Sequence, residues 1–215
     1  MKYLFFGISI LYLGVAVWVF PDEYDAFEVS GDEPIDWYLA RDSIELPQPR
    51  SVESYYLVMQ ACDRSVISIV GSAVPRQTSE SIWRMCLNQS EAVLEAVPDL
   101  GVARLVRASA LAKLGRIEDS YEALLAVEEV APNLAWMAMR RFDIATQIDG
   151  VNSDEVRALM QRDVVRSASD RESADLLARR FSAHPGLRDF IIDALADQPP
   201  EYQRHLLFAY NGLRG

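Results

Sequence analysis

The chain has 215 residues, half of them hydrophobic, and a formal net charge of −11 at pH 7. This length and composition suffice for one sizeable buried core, while the shortage of basic residues argues against nucleic acid as a partner. A mean hydropathy of zero is typical of a soluble domain attached to a single membrane span.

Near its N-terminus the chain has an apolar run, from Tyr3 to Phe20, that contains no charged side chain. The only charged side chain before this run is that of Lys2. Eighteen helical residues, each rising ~1.5 Å, reach roughly 27 Å, close to the ~30 Å hydrocarbon core of a bilayer. We therefore predict a transmembrane anchor over residues 1–20. Because Lys2 marks the cytoplasmic side, the N-terminus is expected in the cytoplasm and the rest of the chain outside it.

A cleaved signal peptide is the alternative to an anchor. Its best small-residue cleavage site, Gly14-Val15-Ala16, lies inside the apolar run, and bulky residues occupy the natural boundary at Val19-Phe20-Pro21. We therefore favour an uncleaved span. Gly7 and Gly14 lie on one face of this helix and would let a second transmembrane helix approach closely, although glycine is also common in such helices for simpler reasons.

Residues 21–50 have the composition of an acidic stalk. Nine Asp or Glu side chains accompany only Arg41 and Arg50, and like charge keeps such a segment extended. A short helix over residues 34–41 is the one regular element expected here, docked on the following domain through its apolar side chains. Helix-breaking prolines lie at positions 21, 34, 47 and 49.

From residue 51 to residue 215 the apolar spacing is helical, and nothing sustains the alternation of a strand. We predict an all-α domain with short connections, a candidate N-cap at Ser51, a helix end at Gly71 and a capping box from Asn152 to Glu155. The apolar stripes run over residues 52–70, 82–94, 117–125, 136–144, 156–164, 187–195 and 202–213.

Residues 101–134 resemble a tetratricopeptide repeat, a helix–turn–helix unit of about 34 residues. Gly115 lies in the turn, while Arg104 and Arg107 replace the Trp and Leu of the repeat pattern. The resemblance implies a stack of helical hairpins that binds proteins in a groove, and no catalysis. A compact helical bundle is the structural alternative. The matching positions are Ala108, Leu111, Ser120, Leu124, Val127 and Pro132.

The two cysteines lie on the apolar stripes of consecutive predicted helices. Cys62 and Cys86 are equidistant from residue 74, the centre of the predicted loop at residues 71–77, so they stand at the same height in an antiparallel hairpin. Their Cα atoms are therefore expected within the ~4.4–6.8 Å range of a disulfide, which an exported domain permits. Two reduced, buried cysteines are the alternative.

Arg104 and Arg107 lie three residues apart and share a helical face. Two guanidinium groups so placed would grip an acidic partner protein with forked hydrogen bonds. Ordinary salt bridges to Glu118 or Glu122 on the next helix are the plainer interpretation, which we prefer.

No catalytic, cofactor-binding or metal-binding pattern is found in the sequence. His184 and His205 lie in different predicted helices without zinc-like spacing, and there is no phosphate loop or nucleophile elbow. We expect a single-pass protein of the bacterial inner membrane whose domain faces the periplasm, and which has no small-molecule substrate. Our leading hypothesis for its function is that it is a scaffold or assembly protein for an envelope complex.

Two other function classes remain open. An accessory structural subunit would be held in a membrane complex mainly by its span, through Gly7 and Gly14. An enzyme is the third class. The arginine-rich composition suggests a bacterial source, and a eukaryotic lumenal location is the alternative to the periplasm.

Overall fold

The computed structural model describes residues 2–29, 46–48, 50–67, 74–148 and 153–213, although the side chains at 2–7, 9, 11, 19, 22, 66 and 67 fall outside the described set. All regular structure in these ranges is helical, which confirms the all-α fold class. The helices are α1 Lys2–Val29, α2 Val52–Ile67, α3 Arg76–Ala96, α4 Gly101–Lys113, α5 Ile117–Val130, α6 Ala135–Thr146, α7 Asp154–Ser169, α8 Arg171–Ala183, α9 Arg188–Leu195 and α10 Pro200–Gly212, with a 3-10 turn at Pro185–Leu187.

The chain divides into two compact units, Met1–Val106 and Arg107–Gly215. The boundary lies within α4, whereas the sequence analysis treats residues 51–215 as one domain. The predicted helix at residues 34–41 lies outside the described residues, as does the predicted helix end at Gly71.

Helix α1 continues through Pro21 to Val29, nine residues past the predicted end at Phe20. A proline inside a helix removes one hydrogen bond and costs ~3 kcal/mol. Tertiary contacts offset this cost, because α1 packs on α2 and buries Ala26 and Val29. Residues 21–29 are therefore helical rather than extended.

Glu23 ties α1 to the start of α2. Its carboxylate accepts hydrogen bonds from the backbone N–H groups of Arg50 and Ser51, at 2.9 and 3.0 Å, and from the hydroxyls of Ser51 and Ser54. Burial alone would raise the pKa of Glu23, but these hydrogen bonds together lower it to about 2. Ser51 also caps α2, as predicted, since its Oγ accepts from the N–H of Ser54 at 3.1 Å.

None of the helices, over the residues that are described, is both long enough and apolar enough to cross a membrane. The predicted span from Tyr3 to Phe20 includes residues 3–7, 9, 11 and 19, whose side chains lie outside the described set.

Helices α2 and α3 are joined at the cysteine pair. The sulfur atoms of Cys62 and Cys86 are 2.16 Å apart and their Cα atoms 5.6 Å apart. Both side chains are fully buried. The structure thus brings the predicted pair to the distance of a disulfide.

In the second unit, helices contact their neighbours in a regular order. Helix α5 packs on α6 and α7, α6 on α7 and α8, α7 on α8 and α9, and α8 on α10. Each of these helices meets one or both of the next two, which is the order found in stacked helical hairpins. The contact between α7 and α10 is an exception to this order. Helix α7 therefore contacts helices on both sides of it in sequence and is the centre of this unit.

The turn between α4 and α5 brings these helices close together. Gly115 has φ of 77°, a left-handed conformation that glycine adopts without steric cost. The Ser120 hydroxyl donates to the Ala108 carbonyl at 2.8 Å, and both residues are fully buried. Small residues at these two positions allow the hairpin to close.

The core of the second unit contains an ion pair. Arg141 on α6 donates to the Asp163 carboxylate on α7, at 3.1 Å from Nε, and to the Ala131 carbonyl at 3.2 Å from Nη1. Arg141 and Asp163 are each 1% exposed. Burial raises the pKa of Asp163 to about 7, although hydrogen bonds from Arg141 oppose the shift.

Helix α7 begins one residue later than the predicted capping box. The cap is Ser153, whose Oγ accepts from the N–H of Val156 at 3.3 Å, and Asn152 lies outside the described residues. His184 ends α8 as its C-cap residue, as the sequence indicates, and the Nδ1 atom of His205 lies 3.0 Å from the Ala168 carbonyl.

Candidate protein-binding groove

An apolar cavity of about 240 Å³ lies in the second unit, among α8, α9 and α10. Pockets that bind other molecules are concave and mostly apolar, with few polar groups. Seven of the eight lining residues here have hydrophobic or aromatic side chains, which makes this cavity the best candidate for a binding site. They are Phe181, Ile192, Leu195, Ala196, Leu206, Leu207 and Tyr210, with Gln203 as the eighth.

The groove walls combine buried and exposed leucine and isoleucine. Leu195 and Leu206 are 2% and 7% exposed and form the core side of α9 and α10. Ile192, one turn before Leu195, is 53% exposed, and Leu207, which follows Leu206, is 57% exposed. The groove is therefore continuous with the core and open to solvent.

Aromatic contacts hold one end of the groove. The rings of Phe181 and Tyr210 meet edge to face, with centroids 5.3 Å apart. Arg188 donates from Nε to the Phe181 carbonyl at 2.9 Å, and its guanidinium lies 5.5 Å from the centre of the Phe181 ring. These contacts fix Phe181 before any partner binds, which reduces the entropy lost on binding.

The chemistry of the groove is hydrophobic binding. Its amide side chain, Gln203, donates to the Leu195 carbonyl at 2.9 Å and so stabilises the junction of α9 and α10. Phe208, which follows Leu207 on α10, is 68% exposed and does not line the groove; the guanidinium of Arg171 lies 5.1 Å from the centre of its ring.

Two other cavities in this unit are larger and polar. One of about 640 Å³ contains the Arg162–Glu128 pair, in which two N–O distances are 2.6 Å. Hydrogen bonds from Arg162 lower the pKa of Glu128. The other, of about 490 Å³, contains Asp143, which accepts from Arg180 at 2.6 and 2.9 Å. In each of these two cavities, the carboxylate named here already binds an arginine.

A metal site is not apparent in the part of the chain that the structure describes. No group of three or more His, Cys, Asp or Glu side chains there is placed to hold an ion. Asp143 is 6% exposed, accepts hydrogen bonds from Arg180 and lies 3.6 Å from Arg140.

Arg104 and Arg107, the predicted partner-binding residues, are both partly buried on α4. Arg104 donates from Nε to the Pro98 carbonyl at 3.0 Å, and its Nη2 lies 4.0 Å from Asp99. Arg104 thus contacts the turn that precedes its own helix.

The residues predicted for the membrane anchor lie on α1. Phe20 is 65% exposed, and a Cβ atom added at Gly14 would meet nothing within 4 Å. The side chain of Tyr3 and the surroundings of Gly7 lie outside the described set. Where the residues of the predicted span are described, their side chains are thus exposed.

The groove itself was missed in the sequence analysis. Ile192 and Leu207 lie within the last two stripe ranges but are not among the apolar residues that share the predicted buried face of α9 or α10. Large apolar residues on the second face of an amphipathic helix were the available signal. Their spacing shows that the helix has two apolar faces, but only the packing shows which face the core covers.

Comparison with known proteins gives no match: no family model, curated protein or solved structure is similar to this chain.

Proposed function

We propose that this protein is a membrane-anchored helical-repeat scaffold that binds partner proteins in the cell envelope. The observation that carries the proposal is the apolar groove between α9 and α10, where Ile192 and Leu207 are more than half exposed. Exposed leucine and isoleucine beside an aromatic anchor are suited to the apolar face of a partner helix.

The helical-repeat assignment is supported by the hairpin of α4 and α5. Positions that match the tetratricopeptide pattern are fully buried there, including Ala108, Leu111, Ser120 and Leu124. In the second unit, each helix from α5 to α8 contacts one or both of the next two helices, as helices do in stacked hairpins. Because α9 and α10 line the groove, the proposed binding site would lie at the C-terminal end of such a stack.

The location is supported by two features of the first unit. The apolar run from Tyr3 to Phe20 has the length of a bilayer span. Cys62 and Cys86 lie at disulfide distance, which suits an oxidising compartment such as the periplasm. In this arrangement the N-terminus is cytoplasmic and the chain that follows the span is exported.

Affinity purification of the full chain from its native membranes tests the proposal. Leu207→Asp places a charge in the groove, and Leu176→Asp is the matched control, because Leu176 is 48% exposed and does not line the groove. We expect Leu207→Asp to lose at least about nine-tenths of the co-purified partner, measured by quantitative mass spectrometry, and Leu176→Asp to retain it. Equal retention by both variants would contradict the groove as the binding site.

A further inference from the structure

Helix α9 and the turn that follows it separate the apolar groove from the polar cavity of about 640 Å³ in the same unit. Ile192, Leu195 and Ala196 line the groove, whereas Asp193 and Asp197 line the polar cavity. The two sets alternate, because each aspartate directly follows a residue of the groove wall. A partner that lies along α9 can therefore contact apolar side chains on one side of it and carboxylates on the other.

The carboxylates of Asp193 and Asp197 serve no contact inside the part of the chain that the structure describes. Both residues are exposed, and neither side chain has a hydrogen bond or an ion pair there. Asp193 also lies in the last turn of α9, where the negative end of the helix dipole disfavours a carboxylate. Unpaired charge beside a groove is suited to a partner of the opposite charge.

The other charged side chains that line the polar cavity are already hydrogen-bonded. Arg162 donates to both oxygens of Glu128, with two distances of 2.6 Å. Arg166 donates from Nε to the Asn133 carbonyl at 2.9 Å. Both arginines belong to α7, on a different wall of the cavity from α9. Within the described chain, the two aspartates are thus the charged groups of this cavity that remain available to a partner.

These charges favour a different protein over a second copy of this chain. In a twofold pair joined through α9, each copy would present the same surface to the other. The aspartates of the two copies would then come together, and like charges at an interface repel one another. A helix that carries lysine or arginine would instead complement them.

We propose that the groove binds an amphipathic helix of another protein that carries lysine or arginine along one edge of its apolar face. The apolar side chains of this helix enter the groove, and its basic side chains reach across α9 to Asp193 and Asp197. These aspartates are four residues apart, a spacing matched by basic residues three or four apart on the partner helix. The basic edge lies over α9 because Arg204, exposed on α10, would repel it at the other wall. The inference rests on the groove proposed above as the binding site.

Photo-crosslinking of the full chain in its native membranes tests the chemistry of the partner. A photoreactive aliphatic residue replaces Ile192 or, as the control, Leu176, which is 48% exposed and does not line the groove. Mass spectrometry of the digested adduct identifies the crosslinked segment. We expect at least about ten times more protein adduct at Ile192 than at Leu176. The segment should be amphipathic, with two lysine or arginine residues three or four apart beside the crosslinked position.

Two results would overturn the inference in different ways. A crosslinked segment of another protein that lacks such basic residues would refute the basic helix and leave the groove as a binding site. An adduct between two copies of this chain, or equal yields at Ile192 and Leu176, would refute the proposed function together with the basic helix.

Charge reversal supplies a second measurement. Asp193→Lys should lower the adduct yield at Ile192 at least about fivefold, because a lysine would repel the basic residues of the partner. Glu129→Lys is the matched control and should retain the yield, since Glu129 is exposed, lies in the last turn of α5 and lines neither cavity. Lysine in the last turn of a helix suits the helix dipole, so both variants should fold. Equal yields from the two variants would overturn the inference.

Discussion

Replacing Arg141 with methionine would leave the Asp163 carboxylate without its hydrogen-bond donor in the core of the second unit. Arg141 and Asp163 are each 1% exposed, and Arg141 also donates a hydrogen bond to the Ala131 carbonyl. Removal of one partner from a buried pair costs about 3–5 kcal/mol, because the remaining charge stays buried.

The neighbouring Arg162–Glu128 pair is the matched control. It too has more than one hydrogen bond, with two distances of 2.6 Å to the two Glu128 oxygens, but the side chain of Arg162 is 54% exposed. Exposed pairs contribute about 0–1 kcal/mol, so Arg162→Met should cost little. A double variant, Arg141→Met with Asp163→Leu, removes both charges and should recover most of the stability lost by the single change.

Hydrogen exchange of peptides from α6 and α7, measured on the full chain, reports the free energy of opening in this unit. We expect the opening free energy to fall by about 3–5 kcal/mol in Arg141→Met and by less than about 1 kcal/mol in Arg162→Met. Equal losses in the two variants would refute the reasoning that burial rather than pair geometry decides the cost.

The cost of Arg141→Met should also depend on pH. Burial raises the pKa of Asp163, and loss of Arg141 removes the hydrogen bonds that oppose this shift. A carboxyl group whose pKa is higher in the folded than in the unfolded chain favours folding as pH falls. The variant should therefore lose less stability at pH 5 than at pH 8, whereas a constant loss would contradict protonation of Asp163.

Three further changes test the first unit and the hairpin. Glu23→Ala should destabilise the start of α2 by about 1–2 kcal/mol at pH 7, measured as faster hydrogen exchange. Near pH 2 it should have no effect. Because the pKa of Glu23 is lowered to about 2 in the folded chain, its contribution to stability is lost as the pH falls from about 4.5 to 2. Reduction and alkylation should raise the intact mass by two adducts, at Cys62 and Cys86. Loss of the disulfide should lower the free energy of unfolding by about 3 kcal/mol for a loop of this length. Free thiols before reduction would contradict the bridge. Gly115→Ala should lower the melting temperature by the equivalent of about 1 kcal/mol because φ is 77°, while Gly186→Ala should not, and equal shifts would contradict the turn.

Much of the local structure could be predicted from the sequence because it depends on neighbours along the chain. Apolar spacing predicts the helices of the second unit, and Ser51 predicts the start of α2. Cys62 and Cys86 are equally far from a predicted loop, which predicts that they lie side by side. The reason is that opposite positions in an antiparallel hairpin have equal heights. Periodicity and capping need no knowledge of distant contacts.

The extension of α1 could not be predicted in this way. Pro21 and the acids that follow it indicate an extended stalk, yet burial of Ala26 and Val29 on α2 and the hydrogen bonds of Glu23 favour the helix. These partners lie more than twenty residues away in sequence. Local propensity is outweighed wherever distant residues supply such contacts.

By itself, the sequence determined the all-helical class, the positions of most helices and the pairing of the cysteines. The tertiary structure alone decided which charges are buried, as in Arg141 and Asp163, and which apolar residues stay exposed, as in Ile192 and Leu207. The physical reason is that spacing along a helix shows which residues share a face. Whether another helix covers that face depends on how the chain packs in three dimensions.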